Sequence, residues 1–335
     1  MMTSQIRSTL FFLLLIALLC SVNQKSVFAD EKADIIASSR EFVKQKLNPA
    51  QIGVGYGALM NFSAEPMLSS ATYQIGQEDG EDPVIYLHKI PLRYEFAFKN
   101  GHIQTAFIEA NFGYLNLEQD FKLSDSASET IITSNWKAYS AMVGAGVKIP
   151  LGMGFSFIPI LHGGIAHLKN DATYYGELAN IYYKPVYKGL AFDWSTNAIL
   201  LSGTTALGYE NRWKEFQFNL KLSYSFNYID TYDESSDYQK FSTSINVTSA
   251  KVDITHPLGI SFLNYPLSGV VHAGNSTFVG PNRDALDFSS FNEFGFSLKS
   301  DISSKNWLIK SVSFGAMGIS GDNVRGWSLL FDYDF

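Results

Sequence analysis

The chain has 335 residues, 46% of them hydrophobic and 15% aromatic, with a formal net charge of −7 at pH 7. An acidic balance of that size argues against nucleic-acid binding, whose phosphates demand a basic surface. The only cysteine is Cys20, inside an apolar leader, so a mature chain without that leader forms no internal disulfide and no thiolate metal site.

The leader is read from its three parts. Arg7 supplies the positive charge, and Leu10 to Cys20 is an apolar run of about eleven residues, the length of a signal-peptide core and well short of the roughly 20 that a spanning helix needs. Val27-Phe28-Ala29 is a small-residue cleavage site, so residues 1–29 are predicted to be a signal peptide. Leu19 before Cys20 argues against lipid attachment at the cysteine. Cleavage removes Arg7 and Lys25 and leaves about 23 Lys+Arg against 32 Asp+Glu.

Asp34 to Leu47 carries a helical period, with Ile36, Val43 and Leu47 on one face, Asp34 able to cap its start and Asn48-Pro49 at its end. Residues 30–51 are therefore predicted to be a short N-terminal helix and linker. From residue 52 to 335 the period becomes two, and an all-β, antiparallel transmembrane barrel of twelve strands is predicted. The first strand is placed at Ile52 to Asn61, with Gly53, Gly55 and Gly57 on one row and Ile52, Val54, Tyr56, Ala58 and Met60 on the other. The next are placed at 84–98, 103–117, 136–149, 155–167 and 194–209. The seventh alternates most strictly, Phe216, Phe218, Leu220, Leu222, Tyr224, Phe226 and Tyr228 against Gln217, Asn219, Lys221, Ser223, Ser225 and Asn227. The eighth and ninth, 241–254 and 260–271, flank a turn at His256-Pro257-Leu258-Gly259, and the tenth and eleventh lie at 289–299 and 307–318. The last strand runs to the end of the chain. It carries Trp327, Leu329, Phe331, Tyr333 and Phe335 on one face and Ser328, Leu330, Asp332 and Asp334 on the other. Long polar links follow odd-numbered strands and short ones follow even-numbered strands, the last odd link, Ile319 to Asn323, alone being short. Barrels with short periplasmic turns and long outer loops have this phase, which places both mature chain ends in the periplasm.

The inward row gives the candidate lumen residues Arg93, Glu95, Glu109, Lys137, Gln217, Asn219, Lys221, Lys251, Asp253 and Glu293. Their signs are mixed, which fits internal ion pairs better than a selective ring of one sign. The histidines have no metal-ligand spacing and no His-x-Ser pair occurs, so no enzyme activity, cofactor or metal is expected. The segment Asn170 to Lys188 is rich in tyrosine, which suits strand extension or an aromatic girdle, and alternatively a binding surface.

The closing stretch F-G-A-M-G-I-S-G-D-N-V-R-G-W-S-L-L-F-D-Y-D-F, together with a signal and a helix leading into twelve strands, resembles the translocator barrels of autotransporters. With about twenty residues before the barrel in place of a passenger, the chain is similar to a solitary barrel of that type. The resemblance implies a bacterial outer-membrane location in contact with lipid, and a final strand, Trp327, Leu329, Phe331, Tyr333 and Phe335, read by the barrel-assembly machinery. It also implies that Asp34 to Leu47 plugs the lumen, although its apolar residues suit a helix lying on the periplasmic membrane face equally well. The role expected is non-enzymatic, whether structural, surface-interacting or in transport; the alternatives are a small-solute channel and, behind it, a barrel enzyme.

Overall fold

The structure is a computed structural model and describes residues 29–46, 49–65, 68, 70–76, 83–97, 105–125, 128–280, 283, 286–302 and 310–334. The predicted signal peptide up to Phe28, and Phe335, lie outside these residues. Two helices come first, α1 (Ala29–Lys46) and α2 (Pro49–Ala64). Twelve strands follow: β1 Ala71–Ile75, β2 Val84–Ala97, β3 Thr105–Asp125, β4 Ser128–Gly152, β5 Phe155–Tyr175, β6 Trp194–Trp213, β7 Phe216–Tyr232, β8 Ser242–Phe262, β9 Tyr265–Val279, β10 Ser290–Asp301, β11 Ser311–Gly321 and β12 Val324–Asp334. Each bonds to the next, and β1 bonds to β12, so the sheet is closed. At the seam, Thr72 faces Trp327 and Ile75 faces Val324. Closure pairs backbone groups that hydrocarbon would otherwise leave unsatisfied.

The alternation along β7 has the physical basis expected of it. Tyr224, Phe226 and Tyr228 are exposed while Ser225 and Asn227 are buried. The exposed row continues around the wall through Ile90, Ile108, Val143, Leu161, Leu201, Phe294 and Phe314. Several strands run past the predicted ends. Much of the expected link between β3 and β4 is strand, and the His256-Pro257-Leu258-Gly259 turn lies inside β8. There the ladder with β9 shifts register between Pro257 and Ser261, and Gly259 takes φ 70°, a bulge that absorbs the proline without ending the strand. The chain instead reverses at Leu263-Asn264, both with positive φ, as two-residue hairpin turns require.

The count of twelve strands holds, but the first of them is not where the alternation put it. Ile52 to Asn61 is helical and belongs to α2, and the strand that closes the barrel is Ala71–Ile75, within what read as a long link. Pro49 begins α2, where its missing N–H costs nothing. The glycines that looked like one row of a strand include a pair four apart, Gly53 and Gly57, which share a helix face. A Cβ on Gly53 would fall 2.5 Å from Phe241 Cβ, and one on Gly57 2.3 Å from Thr243 Cγ2. Gly55 has nothing within 4 Å. The two glycines thus let the helix backbone touch the wall beside β8. Gly53→Ala is expected to lower stability by about 1–3 kcal/mol through overpacking, whereas Gly55→Ala should be neutral or gain up to about 1 kcal/mol of helix propensity. Heat-modifiability midpoints on SDS gels compare the two.

By contact density the chain divides into two compact units, one of Met1–Leu47, Asp120–Ser134 and Asp171–Trp194, the other of Asn48–Gln119, Asn135–Asn170 and Ser195–Phe335. In the first, Arg40 of α1 donates from Nη1 to the carbonyls of Pro185, Val186 and Lys188 at 3.1, 2.9 and 2.8 Å. These belong to the β5–β6 connection, whose short helix α3 is Lys184–Tyr187. Tyr174 and Tyr187 are buried and pack edge-on against Phe192, and Phe121 lies 5.7 Å from the same ring. Burial, and secondarily Tyr183, holds the Tyr187 hydroxyl well above its ordinary pKa. Of the tyrosine-rich segment, Tyr174 and Tyr187 therefore belong to the core of this unit, Tyr175 is exposed, and β5 runs as far as Tyr175.

Candidate functional site

In the larger unit α2 is buried on every side over its second half, with Met60 and Phe62 at 0% exposure. Tyr56 stacks 5.0 Å from Trp136 of β4, and Phe62 lies 4.9 Å from Tyr73 of β1 and 6.1 Å from Phe278 of β9. Asn111 of β3 donates to the Ala64 carbonyl at 2.8 Å. A helix that meets β1, β3, β4 and β9, strands spaced around a closed sheet, sits inside it. The lumen is filled by Pro49–Ala64, the helix after the one expected to fill it. Nothing in its composition announces a surface helix, because no face of its second half meets bulk water.

The end of α2 is held by a polar knot. Four carbonyls at a helix C-terminus have no partner of their own. Here Asn111 takes that of Ala64, and Lys89 of β2 donates its ammonium to that of Glu65, a cation where the helix dipole is negative. The Glu65 carboxylate is 1% exposed as a residue and accepts from Asn227 Nδ2 at 2.7 Å and Ser225 Oγ at 3.5 Å. Ser225 in turn bonds Thr204 at 2.8 Å. Gly113 makes room for the helix end, since a Cβ there would fall 1.9 Å from the Ser63 carbonyl. Neither Glu65 nor Lys89 stood out in the sequence. Glu65 lay in an assumed loop, and only the Gly53–Gly57 spacing after Pro49 carried a signal for a lumen helix.

Of the predicted lumen residues, one group comes together. Arg93 pairs with Glu95 at 2.9 Å and with Glu109 at 3.8 Å, and Glu109 meets His162 Nε2 at 2.5 Å. The guanidinium lies 3.5 Å from the centre of the Phe107 ring. Asn219 and Lys221 stand directly across from Asp253 and Lys251. Glu293 is 4% exposed, and its Oε1 has no hydrogen-bond partner. Lys137 does not belong with them. Trp136 and Ala138 are the buried neighbours that face in, and Lys137 shares its row with exposed Tyr139. On β12, Trp327, Leu329 and Phe331 are exposed at 55, 56 and 67%, the outer row expected of them.

Asp253, His272 and Ser297 form a hydrogen-bonded chain, Oδ1 to Nδ1 at 2.7 Å and Nε2 to Oγ at 2.8 Å. The order matches that of a nucleophilic triad, but Ser297 is 1% exposed, so its oxygen has no open face for a substrate carbonyl. The chain ties β8, β9 and β10 together. Among the described residues no group of three or more His, Cys, Asp or Glu is arranged to hold a metal.

The family model described as "Solitary outer membrane autotransporter beta-barrel domain" matches residues 59–335. The fold is similar to the transport unit of the autotransporter AIDA-I from Escherichia coli, with a TM-score of 0.51 and 11% identity over 85% of this chain and 99% of that one. It is also similar to the translocator domain of autotransporter NalP from Neisseria meningitidis, with a TM-score of 0.54 and 10% identity over 79% of this chain and 85% of that one. No curated protein matches the chain.

Proposed function

Because the chain belongs to the solitary outer membrane autotransporter β-barrel domain family, we propose that it acts as a plugged, non-enzymatic outer-membrane barrel with a role at the cell surface. The observation that carries this reading is the helix inside the sheet, packed against β1, β3, β4 and β9. A helix with its side chains is about 10–12 Å across and leaves little of a twelve-stranded lumen free. AIDA-I and NalP supply a transport unit and a translocator domain; here the occupied lumen favours a surface role over passage of solute. A small-solute channel is the second reading, and it needs α2 to leave.

Orientation follows from the turns. The tight turns at Met153-Gly154, Lys214-Glu215 and Leu263-Asn264 fit the periplasmic end of a barrel. The β5–β6 connection is then outside, and Arg40 keeps α1 with it. In this arrangement the end of β12 is periplasmic. The exposed row Trp327, Leu329 and Phe331, with Tyr333 and Phe335 following at the same spacing in the sequence, is the stretch offered to the barrel-assembly machinery. Cys20 is the only cysteine and leaves with the signal, so Ser38→Cys on the exposed face of α1 gives a single label site. A membrane-impermeant maleimide should react with it on intact cells. Reaction only after the outer membrane is opened would reverse the orientation.

A further inference from the structure

β1 pairs with only four residues of β2, Val84 to Leu87, and four of β12, Val324 to Trp327. β2 nevertheless continues to Ala97 and β12 to Asp334. Among the described residues no strand pairs between these two continuations, so the wall is open there. Two bridges bound the opening. Ser70 bonds to the N–H and C=O of Lys89 at 2.7 and 3.2 Å, and its carbonyl accepts from the Ser328 hydroxyl. Further down, the Tyr333 hydroxyl donates to the Pro91 carbonyl. Backbone directions repeat every second residue along an antiparallel strand. Pro91 is therefore the next residue after Lys89 to face the opening, and it brings no N–H. An edge made of a proline and a capped carbonyl is poor ground for an added strand.

A cavity of about 540 Å³ runs through this opening, with Ile90, Leu329 and Phe331 at its mouth and Lys89, Lys251 and Glu293 in its depth. The first three belong to the exposed, lipid-facing row. The volume is that of a small-molecule site. In the depth, Glu293 Oε1 is buried without a donor, and a buried carboxylate oxygen calls for one. Lys251 stands opposite another cation, Lys221. Gly274 is the cross-strand neighbour of both Lys251 and Glu293, so the two are two strand spacings, about 10 Å, apart at the backbone with no side chain between them.

We propose that this cavity binds one zwitterionic aminophospholipid from the surrounding membrane, its phosphate on Lys251, its ammonium on Glu293 and its acyl chains passing out between β2 and β12. A zwitterion meets both needs. A purely anionic head leaves Glu293 facing negative charge, and a water-soluble solute has no use for a mouth of Ile90, Leu329 and Phe331. The site does not depend on which end of the barrel is outside or on the proposed surface role.

The test uses the mature protein, delipidated in detergent and titrated with mixed micelles of phosphatidylethanolamine, phosphatidylcholine or phosphatidylglycerol, with bound lipid counted by native mass spectrometry. One phosphatidylethanolamine per barrel is expected, bound more tightly than phosphatidylcholine, which cannot donate a hydrogen bond from its head, and far more tightly than phosphatidylglycerol. Lys251→Met and Glu293→Gln should each weaken it by about tenfold or more, the scale of one charge-assisted hydrogen bond. Gly274→Leu fills the depth and should abolish binding; if that variant does not give a heat-modifiable barrel, Leu330→Trp beside the mouth serves instead. Equal affinity for phosphatidylglycerol, or full binding in the filled variants, would overturn the assignment.

Discussion

Deleting Pro49–Ala64 should turn a barrel that conducts at background into one with resolved open-channel currents in planar bilayers. The helix occupies the lumen with Met60 and Phe62 fully buried, and removing it clears the space they fill. Removing Ala29–Lys46 instead should leave the conductance at background, because α1 is bonded to the β5–β6 connection through Arg40. The deletion also leaves Asn111 without the carbonyl it caps and separates Glu65, which Lys89 holds, from the helix, so a gentler variant is useful. Glu65→Ala with Asn227→Ala keeps the helix and frees its lower end, and brief openings should appear. A folded barrel without residues 49–64 that still conducts at background would refute the plug.

Arginine at Leu222 should cost about 2–4 kcal/mol of folding stability in vesicles, as a charge on the lipid face near midplane does. Leu222 is 44% exposed, is flanked by Leu207 and Ala250 on the neighbouring strands, and sits in the middle of the apolar row of β7. Asn219→Arg, three residues away on the inward row, should cost far less, because it faces Asp253 across β8 and gains a partner. Urea titrations of both variants in the same lipid give the comparison, and equal losses would mean that the two rows are misassigned.

The strands were legible wherever lipid and lumen demand opposite chemistry at alternate residues. β7 satisfies this over its middle and was read with its faces correct, since Ser225 and Asn227 are buried and Tyr224 and Phe226 exposed. The same rule misled at Ile52 to Met60. Glycines alternating with apolar residues have a period of two, but the clearance that matters is the four-residue spacing of Gly53 and Gly57 against Phe241 and Thr243. A helix inside a barrel has no polar face to give it away. Lys137 shows the limit of reading charge before parity: it shares its row with Tyr139, and Trp136 is the residue that meets the helix. The ion pairs of Arg93 with Glu95 and Glu109 followed from their common row. Glu65 did not, because a single acid after a helix has no period at all, and its partners Asn227 and Ser225 are 160 and more residues away.

The seam between β1 and β12 has a consequence for how the barrel is made. It joins Thr72 to Trp327, about 250 residues apart in sequence, and carries the largest loop-closure entropy of any pairing in the sheet. Neighbouring strands from β1 to β12 can zip up as successive hairpins, so the four-residue contact of β1 with β12 should be the slow step and the last to form. A finished lumen has no room to admit α2 with Tyr56 and Phe62 already wedged against the wall. The helix and β1 are adjacent in the chain, and Phe62 packs on Tyr73, so they arrive as one piece. The plug is enclosed as the barrel shuts, and sealing the pore and completing the fold are a single kinetic event.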